Sequence, residues 1–164
     1  MKRHKAIQPL SRDHFVGLTL AMRLIQGKPE NLKSNWPIND NPVLQAKQAM
    51  KVFKKDLYDH FKEEENILFV AVKSYLQENE GKEFLEQTLE QHNEFYKLFA
   101  KFDQGTEETI KKRLIYTGEL LEGHVRLEEN DLFPAIEKYT PDHVLNELGK
   151  KLLQRERTDC STLL

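Results

Sequence analysis

Histidine and glutamate recur in this sequence at a spacing that suits metal binding. The segment HFKEEENILFVAVKSY (residues 60–75) is repeated as HVRLEENDLFPAIEKY (residues 124–139), with eight of sixteen aligned positions identical. Both copies begin with a histidine that a glutamate follows four residues later. Because residues i and i+4 lie on one face of a helix, each copy presents an imidazole and a carboxylate to the same point. The two pairs are His60 with Glu64 and His124 with Glu128.

Two further histidines, His14 and His92, lie on the apolar stripes of two other predicted helices. Each of these features alone is ordinary, since a histidine and a glutamate one turn apart are typical of a surface pair and a lone inward histidine is typical of a hydrogen-bonded core. Together they place four imidazoles and two carboxylates inside the protein. Unpaired buried carboxylates would cost several kcal/mol unless they were neutralised or bound a cation. The set therefore predicts a metal site.

The repeat indicates which carboxylates are ligands. Glu63 could share the face of His60, but its counterpart in the second copy is Leu127. Glu65 and Glu129 lie five residues after the histidines, which points them away from the site on their own helices. We expect these two to form a solvated face, with contacts to imidazole N–H groups as the alternative.

The number of candidate ligands favours two metal ions. Four imidazoles and two carboxylates are too many for one tetrahedral zinc, and calcium and magnesium prefer sites made of oxygen. Imidazole with carboxylate suits iron, with manganese or zinc as substitutes. Two histidines per metal leave coordination positions open for O₂, NO, peroxide or azide. The predicted ligands are His14 and His60 on one metal, His92 and His124 on the other, and Glu64 and Glu128 as bridges.

These residues must be positioned by long helices. Four long helices with mostly short links predict an all-α, up-down-up-down four-helix bundle. The repeat relates the second helix to the fourth and, through His14 and His92, the first to the third, which gives an internal two-fold pseudo-repeat. Pro134 should kink the fourth helix near Asn130. The predicted helices, including a short C-terminal fifth one, span about residues 11–26, 42–79, 82–102, 106–139 and 141–157.

The composition predicts one domain over residues 1–164, with a bundle core at about 11–139 and a frayed tail at 158–164. A loop at residues 27–41 contains Trp36. The net charge of −2 gives no electrostatic case for binding nucleic acid or an anionic membrane. No apolar run is long enough to cross a bilayer, and the single cysteine rules out an intramolecular disulfide. We expect a cytoplasmic protein.

Four features of the sequence resemble the hemerythrin-like (HHE cation-binding) domains over about residues 8–139. They are SRDHF at residues 11–15, HFKEEENILF, the lone His92 and HVRLEENDLFP. The resemblance implies a non-haem di-iron centre inside a four-helix bundle, with an oxo or hydroxo bridge. In the oxygen-carrying members, a second histidine follows the ligand of the third helix by one turn; here that residue is Tyr96. Tyr96 could be a phenolate ligand, a hydrogen-bond donor to a bound oxygen species, or part of the core.

The expected function is that of a di-iron protein that binds O₂ or a related molecule, NO or peroxide, in sensing, storage or stress response. The alternatives are a peroxidase- or oxidase-like di-iron enzyme and a helical bundle without metal. We rank binding above catalysis and assign no catalytic residue, because only the ligands, Tyr96 and Glu63 could serve as a general acid or base. Gly17, one turn after His14, is expected to keep space beside the metals for a small ligand.

Overall fold

The computed structural model describes residues 3–26 and 41–160, with side chains as far as residue 153. All regular secondary structure in these ranges is helical, which confirms the predicted all-α class. None of the described helices combines the length and the apolar character needed to cross a membrane. The helices are α1 (Gln8–Gln26), α2 (Pro42–Val52), α3 (Tyr58–Glu63), α4 (Phe69–Leu76), α5 (Gly81–Phe99), α6 (Glu107–Leu127), α7 (Phe133–Tyr139) and α8 (Asp142–Cys160).

Wide π-helical turns join some of these helices without a break. The predicted second helix consists of α2, α3 and α4, linked by such turns at Phe53–Leu57 and Glu64–Leu68. The predicted fourth helix consists of α6 and α7, linked by the turn Glu128–Leu132. The fourth helix therefore departs from regular α-helical geometry around Asn130, where a kink was predicted. The matching turn at 64–68 forms without a proline, so Pro134 is not required for it.

Capping residues explain where several helices begin. The Asn41 side chain accepts a hydrogen bond from the backbone N–H of Leu44 at 3.2 Å, and Pro42 follows as the first residue of α2. Thr106 caps α6 in the same way. The first helix, in contrast, begins at Gln8 and not at the predicted residue 11. The backbone N–H of Ser11 already donates to the carbonyl of Ile7, so Ser11 lies within the helical turns and does not cap them.

The apolar core forms two clusters, and the histidines and glutamates lie between them along each helix. One cluster includes Leu20, Phe61 and Leu121, and the other includes Leu10 and Leu132. In α1, for example, His14 lies between Leu10 and Leu20. The apolar side of α8, formed by Leu145, Leu148 and Leu152, packs into the second cluster, as its stripe predicted. Apolar side chains therefore enclose the histidines and glutamates on both sides along the helices.

Two predicted features fall partly or wholly outside the described residues. The loop with Trp36 corresponds to residues 27–40, which the structure does not describe. The last helix continues to Cys160, beyond the predicted end near residue 157. The rest of the predicted frayed tail, residues 161–164, also lies outside the described part of the chain.

Candidate metal centre

The six predicted ligands come together in the centre of the protein. They form two groups of four, and in each group one nitrogen or oxygen atom per residue lies within 4.8 Å of all the others. Every member is buried, and Glu64 and Glu128 have no exposed surface. The two groups share both glutamates, as expected for two metals bridged by carboxylates. One group is His14, His60, Glu64 and Glu128, and the other is Glu64, His92, His124 and Glu128.

The inward-facing atoms of this cluster lack hydrogen-bond partners. They are the Nε2 atoms of all four histidines and both carboxylate oxygens of Glu64 and Glu128. Some of them are close, with His14 Nε2 2.9 Å from Glu128 Oε2 and His60 Nε2 3.3 Å from Glu64 Oε1, but none is aligned as a hydrogen bond. Buried polar atoms without partners cost about 1–3 kcal/mol each. Metal cations would satisfy all of them at once, so the residues fit the two metals that the sequence predicts.

The outward-facing nitrogens of His14, His92 and His124 have hydrogen-bond partners that orient the rings. The Nδ1 atom of His14 lies 2.6 Å from Glu129 Oε1, and that of His92 lies 3.1 Å from Glu65 Oε1. Holding Nδ1 in this way leaves Nε2 directed at the metal site. The prediction that Glu65 and Glu129 form a solvated face was therefore wrong. Each points away from the histidine of its own helix, as expected, but towards a histidine of a neighbouring helix.

Near the remaining two histidines lie residues that sequence analysis missed. Gln91 orients His124, whose Nδ1 lies 3.0 Å from Gln91 Oε1, whereas Asp13 Oδ2 lies 3.6 Å from His60 Nδ1, which is too long for a hydrogen bond. Asp13 immediately precedes His14 and Gln91 immediately precedes His92. The two-fold pseudo-repeat therefore extends beyond the ligands. Aligning the chain on its first and third helices would have revealed both residues.

Both outer glutamates also bind a cation. Lys62 Nζ lies 2.7 Å from Glu65 Oε2, and an Arg3 guanidinium nitrogen lies 2.7 Å from Glu129 Oε2. Each carboxylate therefore holds an imidazole through Oε1 and a cation through Oε2. These contacts outweigh the cost of partial burial and lower the pKa of Glu65 and of Glu129 to about 2. Both groups are ionised at neutral pH and can polarise the histidines that they orient.

The protonation of the cluster without metal follows from burial and charge. Burial opposes the protonation of His14 and His92, but contacts with glutamates outweigh it and raise the pKa of His14 to about 10 and that of His92 to about 9. Burial dominates at His124, and it lowers the pKa of that imidazole to about 3. Metal ligands must be deprotonated. A metal that enters this site must therefore displace the protons held by His14 and His92.

Tyr96 contacts the outer part of the site. Its hydroxyl donates a hydrogen bond of 2.8 Å to Glu65 Oε1, the same oxygen that faces His92 Nδ1. Partial burial and the neighbouring carboxylate raise the pKa of Tyr96 above its ordinary value. A phenolate is disfavoured there. Of the roles considered for Tyr96, the structure favours a hydrogen-bond donor, but the acceptor is a protein carboxylate.

Gly17 is buried where α1 meets its neighbours. A Cβ atom at this position would lie 3.6 Å from Val125 Cγ2 and 3.8 Å from side-chain atoms of Leu121 and Leu57. These are ordinary van der Waals distances, so an alanine fits. The nearest groups are apolar core side chains and not the metal ligands. That Gly17 keeps space for a small ligand stays a prediction.

Aromatic rings enclose the cluster. Phe61 stacks on His92 with ring centroids 4.1 Å apart, and Phe133 stacks on His14 at 5.5 Å. Phe95 contacts His124 edge-on at 5.4 Å. This apolar surround limits the access of water and strengthens electrostatic interactions inside the site.

Comparison with known proteins agrees with this arrangement. The family model described as the hemerythrin HHE cation binding domain matches residues 10–147 of the chain. This range contains all six residues of the cluster and their four outer partners. No curated protein and no solved structure matches the chain significantly.

Proposed function

Because the chain belongs to the hemerythrin HHE cation-binding domain family, we propose that it holds two iron ions and binds O₂, NO or peroxide at them. The same proposal includes an up-down-up-down arrangement of the four long helices. The role that we propose is binding or sensing of the small molecule. Family membership supports the binding of metal cations, and the choice of iron rests on the ligand types.

One observation carries the proposal. Two groups of two histidines and two glutamates share both glutamates, and their inward nitrogen and oxygen atoms have no hydrogen-bond partners. A purely structural cluster would pair these atoms with each other, because unsatisfied buried polar atoms destabilise the fold. The shared carboxylates favour a pair of ions over two separate sites.

Two sets of residues would form such a centre: those that bind the ions and those that orient the histidines. His14 and His60 would bind one ion, His92 and His124 the other, and Glu64 and Glu128 would bridge them. Glu129, Glu65 and Gln91 orient the rings of His14, His92 and His124, and Asp13 places a carboxylate near the ring of His60. Two iron ions, when bound, supply one-electron chemistry and open coordination positions for a small ligand. Phe61 and Phe133 exclude water from the ligands.

A peroxidase- or oxidase-like enzyme is the second candidate. It is favoured by the hydrogen bond from Tyr96 to Glu65, because this bond links a half-buried phenol to the histidine His92. If the protein were such an enzyme, the iron-loaded form would consume peroxide over many turnovers, and Tyr96→Phe would slow this reaction. Stoichiometric binding without turnover would support the binding role.

The test is a titration of the anaerobically iron-loaded protein with NO and, after oxidation, with azide, followed by absorption spectroscopy. We expect saturable spectral changes at both steps. His60→Ala should abolish them because one ion loses an imidazole. His143→Ala is the matched control, since His143 is exposed and lies outside the cluster. A fully iron-loaded protein whose spectrum responds to neither ligand would refute the binding of small molecules.

A further inference from the structure

A cavity lies beside the candidate metal centre, with Tyr96 in its wall. Its volume is about 540 Å³. This is within the roughly 300–1,000 Å³ typical of sites for small organic molecules. Four aromatic residues, one methionine, one alanine and two lysines line it. The aromatic residues and lysines are Phe53, Tyr58, Tyr96, Phe99, Lys54 and Lys62.

The aromatic residues form a connected wall. Phe53 and Phe99 stack with ring centroids 4.0 Å apart and nearly parallel planes. Tyr96 meets Phe53 at 6.3 Å and Tyr58 at 5.8 Å, in both cases edge to face. Phe53 and Phe99 are almost fully buried, whereas Tyr58 is 42% exposed and lies at the mouth. Such a wall favours a flat, apolar body that can make offset or edge contacts with the rings.

The charges around the cavity select an anion. An aromatic cage by itself would attract a cation. Here, however, the protein supplies its own ammonium group, because Lys62 Nζ lies 4.5 Å from the ring centroid of Tyr96 and 5.7 Å from that of Tyr58. Lys54 adds a second positive charge, and no carboxylate is among the described lining residues. The carboxylate of Glu65 already pairs with Lys62. Lys54 is therefore the lysine that can pair with a ligand.

The pseudo-repeat shows that the fold does not require this cavity. When the 64-residue offset between the two copies is continued towards the N-terminus, Phe53 and Lys54 correspond to Thr117 and Gly118. At that place α6 packs directly on α1, so that a Cβ atom on Gly118 would lie 2.8 Å from the carbonyl oxygen of Ala21. No room for a ligand remains between Gly118 and Ala21. The cavity therefore exists in one half of the pseudo-repeat, whereas close packing of α6 on α1 fills the corresponding position in the other half.

The backbone departs from the repeat at the same place. The π-helical turn Phe53–Leu57 closes through a hydrogen bond from the N–H of Tyr58 to the carbonyl of Phe53. Both residues line the cavity. The corresponding part of the other copy is the uninterrupted helix α6. Single π-helical turns inside α-helices are frequent at functional sites.

We propose that this cavity binds a small organic anion with a flat apolar body, such as an aromatic carboxylate, whose carboxylate pairs with Lys54. The rings of Phe53, Phe99 and Tyr96 hold its body. Since Tyr96 also donates to Glu65, the ligand lies beside the hydrogen-bonded chain that ends at His92. The binding itself does not depend on the identity of the metal.

The experiment is a titration of the full-length protein, as purified, with 2-naphthoate, followed by calorimetry and by the fluorescence of the probe. We expect saturable binding of one molecule per chain. The neutral analogue 2-naphthalenemethanol should bind about tenfold more weakly, because it lacks the charge that pairs with Lys54. The cationic analogue 2-naphthylmethylamine should bind more weakly still.

Variants locate the binding. Lys54→Glu should weaken the binding of 2-naphthoate about tenfold or more, since it reverses the charge at the mouth. Lys55→Glu is the matched control because it makes the same change at the neighbouring residue, which does not line the cavity. Ala100→Trp should block binding by filling the cavity from its wall. The circular dichroism spectrum and melting temperature establish that each variant is folded.

Three results would overturn the proposal. The first is no saturable binding of 2-naphthoate, or equal binding of the anion and the neutral alcohol. The second is binding that the Lys54→Glu and Lys55→Glu variants weaken equally. The third is binding that appears only on dissociation of a dimer, because a second copy of the chain then occupies the cavity.

Discussion

Replacing Gly118 with alanine should destabilise the protein, although alanine favours helices. Gly118 is buried in α6 where this helix crosses α1. A Cβ atom there would lie 2.8 Å from the carbonyl oxygen of Ala21, 2.8 Å from Ile25 Cγ1 and 3.0 Å from Leu24 Cβ. The oxygen and Leu24 Cβ belong to or adjoin the α1 backbone, so they cannot rotate away. The two helices would have to move apart.

The size of the effect follows from two opposing contributions. Overpacking a core usually costs about 1–3 kcal/mol, and the contacts with rigid atoms place Gly118→Ala at the upper end. Alanine in place of a helical glycine contributes about 1 kcal/mol in the other direction. The free energy of unfolding should therefore fall by about 2 kcal/mol.

Gly123→Ala is the matched control on the same helix. A Cβ atom at Gly123 has no neighbour within 4 Å, so only the helix preference acts and the variant should be more stable by up to about 1 kcal/mol. The assay is urea unfolding monitored by circular dichroism, at equal metal content. If Gly118→Ala were as stable as Gly123→Ala, the close approach of α1 and α6 would be wrong.

Other predictions concern the metal centre. Glu129→Ala removes the partner of His14 and Arg3, and it should weaken iron binding about 10–100-fold in competition with a chelator. Glu122→Ala serves as its control, because Glu122 is partly exposed and pairs with Arg126 outside the cluster, and equal affinities would contradict an orienting role for Glu129. Metal binding at pH 8 should release the protons held by His14 and His92, whose pKa values lie above that pH, so that affinity falls as the pH falls. Calorimetry in buffers of different ionisation enthalpy counts these protons, and the absence of release would show that both rings are neutral. Gly17→Ala should fold normally and weaken azide binding if the space is used by the ligand; unchanged azide affinity would reject that role. Iron at 100 times its dissociation constant should stabilise the protein by about 2.7 kcal/mol for each ion bound, which thermal unfolding can measure against the chelator-treated form.

The six residues of the buried cluster could be predicted because the chain repeats itself. Glu64 and Glu128 share one spacing from a histidine, whereas Glu63 has an apolar counterpart, Leu127. Comparison of the two copies therefore separated the residues of the cluster from their neighbours. The approximate bounds of the helices followed from residues such as Asn41 and Thr106, which cap them.

Contacts between helices were the part that periodicity could not predict. Glu65 points away from His60, and only the packing of α5 against this turn brings it to His92. The π-helical turns change the direction in which the following side chains point. No residue type in the sequence predicts where these turns occur. The cavity beside Tyr96 depends on one such turn at Phe53–Leu57, so it became visible only in three dimensions.

The central claim is that the two overlapping groups of histidine and glutamate hold two iron ions. Elemental analysis of protein purified without chelator measures metal per chain directly. The account predicts about two irons per chain, one for each group, and a loss of iron in Glu64→Ala but not in His143→Ala. One zinc per chain, or no metal even after anaerobic loading with iron, would contradict it.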